Sequence, residues 1–468
     1  MKLVLALVIV GVVLYVSAQD WRRAVKAVFF ILVIDGALRK WVLPQASVGL
    51  YFFKDIVLLG AYLRYYVFPN REPHFPIKNN AINLLIWLAS GWCIFQAFNP
   101  KLGSPLVGIL GLKAYLFYIP LIWMLPSLFR DRDEFYEFLR SHLLLIIPVG
   151  LLGIVQFFSP VNSPINQYAP DNPVKIETFG FAGSTNVRIT GTFSYINSYQ
   201  GYLTACFALI LPFLSLKQTT KWQIITYLEL FLVFLNSFMT GSRTPVIAEM
   251  LCIIGFLSMR AIRNPEKTLV WISRLLPFVA VGTSAALIIF RPVVEAFSRR
   301  VTSNTDIGER VSLSIIGPFD LTQYTAFDGY GVGATHAGTA ALRNLLGLPA
   351  GAYIPIELEP EMGKVALEIG PIGFIFWYTM RIALIIALFL TFWKVKDTFL
   401  SDFALAACLI QAILLISQMV FHHTFAVYYW LFSGFIFLLP WLEYVENWRK
   451  EQQIWQEYEE NSPDSSHR

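Results

Sequence analysis

VALEIGPIGFIFWYTMRIALIIALFLTFW, residues 365–393, decides the fold class. Two of these 29 residues are charged, Glu368 and Arg381. At 1.5 Å per residue an α-helix of this length covers about 30 Å of hydrocarbon with residues to spare. Further blocks of the same kind occupy 3–18, 24–43, 50–68, 81–98, 105–128, 142–160, 195–216, 222–240, 245–259, 269–290, 402–421 and 425–441, about 13 in all. Across the chain 56% of residues are apolar and only 14% charged, and the mean hydropathy is +0.57. A water-soluble protein of 468 residues needs far more charge to cover its surface. Many Trp and Tyr stand at block ends, where an interfacial belt places them. The expected fold is an all-α, polytopic membrane helical bundle of about 12–13 transmembrane helices with a large extracytoplasmic loop.

The first block has two readings. Lys2, the apolar core and Ser17-Ala18 resemble a signal peptide. Trp21-Arg22-Arg23 follow at once, and positive charge after a span marks a cytoplasmic end, which favours a retained helix.

Charge in the short loops fixes orientation. One alternating set holds Arg22, Arg23 and Lys26; Arg71 and Lys78; Arg130, Arg132 and Arg140; Lys217 and Lys221; Arg260, Arg263 and Lys267; Lys394 and Lys396. The opposite short loops carry little beyond Lys101 and Arg243. The positive-inside rule makes the first set cytoplasmic, with the N-terminus outside and the C-terminus inside. The expected organisation is a bundle over 1–445, with outer loops 161–194 and 291–363, and a frayed cytoplasmic polar tail over 446–468. Within the longer loop, 293–301 reads as an amphipathic helix on the outer interface. The four cysteines all lie inside apolar blocks without paired spacing, and read as small buried hydrophobes.

Three arginines share a setting at the outer ends of spans or in the outer loop. Arg188 opens RITGTFSYINSYQG, Arg243 sits in the tight turn TGSRTP, and Arg310 lies in DIGERVSLS ahead of the glycine-rich DGYGVGATHAG at 328–338. A guanidinium cannot be deprotonated and presents a fork of donors matched to phosphate oxygens. Singly, each arginine suits headgroup snorkelling or a loop ion pair equally well. Together, beside glycine-rich turns, they suggest an anion site for a lipid-linked pyrophosphate. The glycine-rich segment lacks the GK[ST] of a Walker loop and any Rossmann context.

Candidate general bases are Glu359 and Glu361, where the outer loop returns to the membrane, and His336. Glu368, just before Gly370-Pro371, is a fourth candidate, though orienting the arginines or capping the helix suits it better. No HExxH-like spacing supports a metal site at the histidines, so no metal or other cofactor is expected. Charges also occur within spans: Asp35 with Arg39 and Lys40, Lys54 with Asp55, Lys113, Glu249 and Arg381. Such groups face a bundle interior and pair. Asp35 and Arg39, four apart, read as a pair on one helix face opening to an outer polar cavity.

The ordered set R-x-x-G-T-F (Arg188 to Phe193), G-S-R (Gly241 to Arg243), an outer-loop Arg before G-Y-G-V-G (Gly329 to Gly333) and E-x-G-x-x-G (Glu368 to Gly373) resembles the O-antigen ligase/polymerase superfamily of bacterial envelope glycan assembly. GALRKW (Gly36 to Trp41) also looks like the first spans of some exopolysaccharide-cluster members. The resemblance implies a multi-pass protein of the bacterial plasma (inner) membrane and a metal-independent glycosyltransferase with an extracytoplasmic site. It implies a polyprenyl-pyrophosphate-linked oligosaccharide as donor, with Arg188, Arg243 and Arg310 on its pyrophosphate. Glu359 stands where ligases of the family often place a His, which favours a polymerase over a ligase. Other polysaccharide assembly and export proteins are candidate partners besides the bilayer and the lipid-linked glycan; nucleic acid is not. The rival from another class is a lipid-linked oligosaccharide flippase or transporter.

Overall fold

The computed structural model describes residues 2–68, 80–170, 174–179, 186–266, 291–302, 327–356, 360–417 and 419–461, with isolated positions between these runs. It is 77% helical and, among the described residues, has no strand beyond one isolated antiparallel bridge, Thr178 to Val187. The chain is an all-α polytopic membrane protein.

Among the described residues the helices of eight or more residues are α1 (Lys2–Gln19), α2 (Trp21–Ala37), α3 (Phe53–Tyr62), α4 (Ala81–Ala97), α5 (Pro105–Leu116), α6 (Leu121–Leu128), α7 (Arg132–Leu143), α8 (Ile146–Phe158), α9 (Ile196–Ser215), α10 (Thr220–Met239), α11 (Arg243–Arg263), α12 (Arg291–Thr302), α13 (Thr339–Leu346), α14 (Glu361–Lys394), α15 (Thr398–Ile413) and α16 (His423–Asn461). Local chemistry fixes several starts. The side chains of Asp20, Asn80, Asp131 and Asp397 each accept the backbone N–H three residues on, and Ser104 accepts that of Leu106, two residues on, with Pro105 in the first turn of α5. Such caps contribute about 1 kcal/mol each.

Among the described residues six stretches are long and apolar enough to cross a membrane alone: Pro44–Val67, Arg132–Phe158, Thr220–Met239, Arg243–Arg263, Glu361–Lys394 and His423–Gln456. Helices α5 and α6, bent by 43°, make a seventh together. Shorter apolar helices, Leu7–Gln19, Ala81–Ala97 and Thr398–Ile413, stand beside them. The block at 269–290 lies almost wholly outside the described residues. Helix α9 occupies the middle of the bundle, buried from Gly201 through Phe213 and packed on α10, α11, α15 and α16. Helix α12 forms where amphipathic character predicts it; Val293 is buried and Phe297 stacks edge-on against Phe238 of α10, 4.8 Å between centroids. The polar segment expected to fray after 446 instead continues α16 to Asn461.

Helix α14 is not straight. Gly370 breaks it with φ +67° and ψ 178°. Glu361 and Arg381 are 20 residues apart, about 30 Å along an unbroken helix. Their side chains nevertheless meet at 3.7 Å, both fully buried. Limbs of about 14 and 17 Å on either side of Gly370 close to that distance only if they meet at an acute angle.

The glycine-rich loop fills the bend. Tyr330 and Gly331 donate their N–H groups to the carbonyls of Leu367 and Glu368, both at 2.8 Å, and Trp92 Nε1 donates to Ile369 O at 2.8 Å. The last carbonyls of the short limb, orphaned by the break, thus find partners. Gly329 has φ +63°, and a Cβ there would stand 2.6 Å from Gly370 N. Glycine is obligatory at such a crossing.

Candidate functional site

The segment RITGTF does not run freely into α9; it is clamped. Gln156 Oε1 accepts from the N–H groups of Thr190 and Gly191, at 3.2 and 2.7 Å. Gln156 Nε2 donates to Gly191 O at 3.1 Å, and Lys40 Nζ donates to the same carbonyl at 2.7 Å. Gly36 of α2 touches the backbone of 192–194, where a Cβ would meet Ser194 N at 2.4 Å. These contacts fix where Arg188 stands.

Arg188 reaches the turn that carries Arg243. Its Nε donates to Thr240 O at 2.8 Å, and its side chain lies against Gly241, whose φ of +64° makes the turn. Its Nη1 pairs with Glu177 Oε2, and Tyr195 donates its hydroxyl to the other oxygen of that carboxylate. Arg243 opens α11 half-buried, directly after Ser242. Two of the three expected arginines therefore belong to adjoining pieces of backbone. Arg310 and Glu359 lie outside the described residues.

The remaining expected residues have firm structural partners. Glu361 Oε2 accepts from the N–H groups of Met419 and Phe421, at 2.6 and 3.2 Å, besides facing Arg381. Glu368 Oε1 accepts from Thr335 N and Thr335 Oγ1, at 2.7 and 2.8 Å, anchoring the glycine-rich loop. That loop spends the amides of Tyr330, Gly331 and Ala334 on internal bonds, so these are not offered to an anion. His336 Nδ1 accepts from Gly338 N at 3.0 Å, and its ring faces His423, 5.7 Å between centroids. Burial, with Lys113 and Lys364 nearby, pushes the His336 imidazole down to about 4.

A cavity of about 170 Å³ opens beside this cluster, its wall including Asp35, Arg39, Tyr51, Lys54, Tyr195 and His423. Tyr195 joins it to the Arg188–Glu177 pair. Arg39 meets Asp35 at 3.7 Å, the pair that their spacing predicts, and donates to Ser47 Oγ and Ser194 Oγ, each at 3.1 Å. Asp55 is held by Lys113 at 2.9 Å and by the Tyr118 hydroxyl at 2.6 Å, with Lys54 farther away at 4.0 Å. Neighbouring His422 is used at both nitrogens, by Asn197 O and Phe425 N. His423 Nδ1 is out of solvent contact and has no hydrogen-bond partner among the described residues. Among the described residues no group of three or more His, Cys, Asp or Glu gathers in a metal-binding arrangement. The motif reading missed Glu177, Gln156 and Tyr195, whose roles depend on tertiary placement rather than on spacing.

Fold and site together define a polytopic membrane protein with a polar cluster at the ends of several spans. Residues 184–334 match the family model described as O-antigen polysaccharide polymerase Wzy, which supports membership of the O-antigen polymerase-like superfamily. The match covers roughly a third of the chain and takes in Arg188, Arg243, Arg310 and most of the glycine-rich loop. It supports an O-antigen polymerase-type membrane function in polysaccharide biosynthesis. No curated protein matches the chain.

Proposed function

We propose that the chain is a metal-independent membrane glycosyltransferase that polymerises polyprenyl-pyrophosphate-linked repeat units on the extracytoplasmic side of a bacterial plasma membrane. Its N-terminus lies outside and its tail after 446 in the cytoplasm. The observation that carries this reading is the bond from Arg188 Nε to Thr240 O, which brings the RITGTF entry of one span to the turn that starts another with Arg243. Guanidinium groups collected there stabilise charge on a departing pyrophosphate, a contribution of several kcal/mol when pre-organised. Arg310, which lies outside the described residues, is assigned to the same pyrophosphate on its sequence motif alone.

The acceptor hydroxyl attacks the anomeric carbon from the side opposite the pyrophosphate. The C–O bond to phosphate breaks with its electron pair leaving on the lipid pyrophosphate, and the hydroxyl proton passes to a base. Glu361 and Glu368 hold backbone and loop, which suits positioning better than proton transfer. His423 with His336, or Glu359, remains for the base. Transfer to a different envelope acceptor is the ligase variant of the same chemistry.

The break in α14 and the bend between α5 and α6 are features that transporters also use. Purified protein given lipid-linked oligosaccharide separates the readings: polymer together with free lipid pyrophosphate supports transfer, and substrate moved intact across the bilayer overturns it. Arg188→Lys and Arg243→Lys, which keep the charge and lose the fork, are expected to insert normally and make no polymer. Wild-type polymer from both would end the pyrophosphate assignment.

A further inference from the structure

The cavity beside Tyr195 carries more positive charge than its carboxylates balance. Asp35 faces Arg39, and Asp55 is engaged by Lys113 and Tyr118. Lys54, with 4% of its side chain exposed, makes a hydrogen bond to the carbonyl of Tyr51 at 3.0 Å and shares Asp55 at 4.0 Å. Among the described residues two ammonium groups therefore divide one carboxylate. Around the Tyr51 ring stand Arg39, Lys54 and Lys113, at 5.2, 4.9 and 4.7 Å from its centroid. A buried ammonium without a counter-charge of its own is unfavourable, and an anion arriving from outside offsets that cost.

The rest of the wall indicates what carries the anion. The aromatic side chains of Tyr51, Phe193 and Phe421 line it, while Asn197, Ser198 and His423 Nδ1, which has no hydrogen-bond partner among the described residues, offer hydrogen-bonding groups for hydroxyls. A bare phosphate needs no aromatic walls. At about 170 Å³ the space is smaller than the roughly 300–1,000 Å³ of drug-sized sites, and suits one sugar ring rather than a chain. We propose that this cavity seats an acidic sugar of the acceptor glycan, with its carboxylate on Lys54 and its hydroxyls toward Asn197, Ser198 and His423. The assignment rests on the transfer reading above and names the chemical class of its acceptor.

The test uses the full chain in phosphatidylcholine nanodiscs, with glucuronic acid, glucuronamide and glucose as probes in saturation-transfer NMR. Wild-type protein is expected to prefer glucuronic acid over its neutral amide by about tenfold, the worth of one charge-assisted contact. Lys54→Met, which keeps volume and removes charge, is expected to abolish that preference; Lys54→Arg is expected to keep it. Equal binding of acid and amide by wild type overturns the proposal without recourse to any variant. So does an undiminished preference in Lys54→Met, or displacement by inorganic phosphate at lower concentration than by glucuronic acid, which assigns the site to phosphate. No lipid-linked donor enters this assay. A chain that prefers the acid yet releases no lipid pyrophosphate retires the transfer reading alone.

Discussion

Glu361 and Arg381 lie in one stretch of helix, 20 residues apart, and face each other at 3.7 Å with no solvent exposure. Only the break at Gly370 makes this possible. The pair is closed by the bonds from Met419 and Phe421 to Glu361 and from Arg381 to Leu414 O, so it ties both limbs to the 414–421 segment.

Removing one partner leaves a buried charge stranded. Glu361→Gln is expected to cost about 3–5 kcal/mol, and a Glu361→Gln, Arg381→Met double change, which keeps an acceptor for the N–H groups of Met419 and Phe421, to recover most of it. Melting of detergent-purified protein measures both. A single variant that melts with wild type would show the pair to be idle.

Alanine at Gly329 or Gly370 would place a Cβ 2.6 or 2.3 Å from backbone atoms at a positive φ. Both variants are expected to yield little folded protein. Gly11→Ala, in helix α1 with nothing within 4 Å, is the matched control and is expected to express like wild type. Size-exclusion yield of a fluorescent fusion reads all three.

Glu177 holds Arg188 and Tyr195 together. Glu177→Gln keeps the shape and loses the charge, freeing the guanidinium to wander. The expected result is a KM for lipid-linked donor raised by about tenfold with protein level unchanged, the loss of one charge-assisted contact. Donor titration of purified enzyme decides; an unaltered KM would make the carboxylate a bystander.

His336 titrates near 4 in the fold against about 6.5 when unfolded. Between those values the unfolded chain binds a proton that the folded one refuses. Stability from this group is therefore present above pH 6.5 and falls as pH drops toward 4, by about 3 kcal/mol at most. Melting temperature against pH should fall less steeply over that window in His336→Gln than in wild type. Parallel curves would place the acid sensitivity elsewhere.

The bundle was legible because hydropathy is written locally, and a bilayer leaves a chain few alternatives to helix. Asp35–Arg39 was legible for the same reason, four residues being one helical turn. Gly370-Pro371 announced a disturbance, yet nothing in the local sequence says that the limbs fold back, because that angle is set by Arg381, the 414–421 segment and the loop at 329–335. Arg188 stood out in its motif. Its partner Glu177 did not, since it sits in an ordinary Pro- and Asn-rich loop and is chosen by how that loop lies on the bundle. Lys54 was visible as an in-span charge, but its shortfall in counter-charge appears only when Lys113 is seen to claim Asp55.

Helix α16 runs for 39 residues, about 58 Å, nearly twice the hydrocarbon thickness. Its final turns must therefore stand proud of the bilayer as a stiff post continuous with the buried core. A fluorophore or small domain grafted near Asn461 would ride at a defined height and tilt, giving single-particle imaging a fiducial that moves with the centre of the bundle.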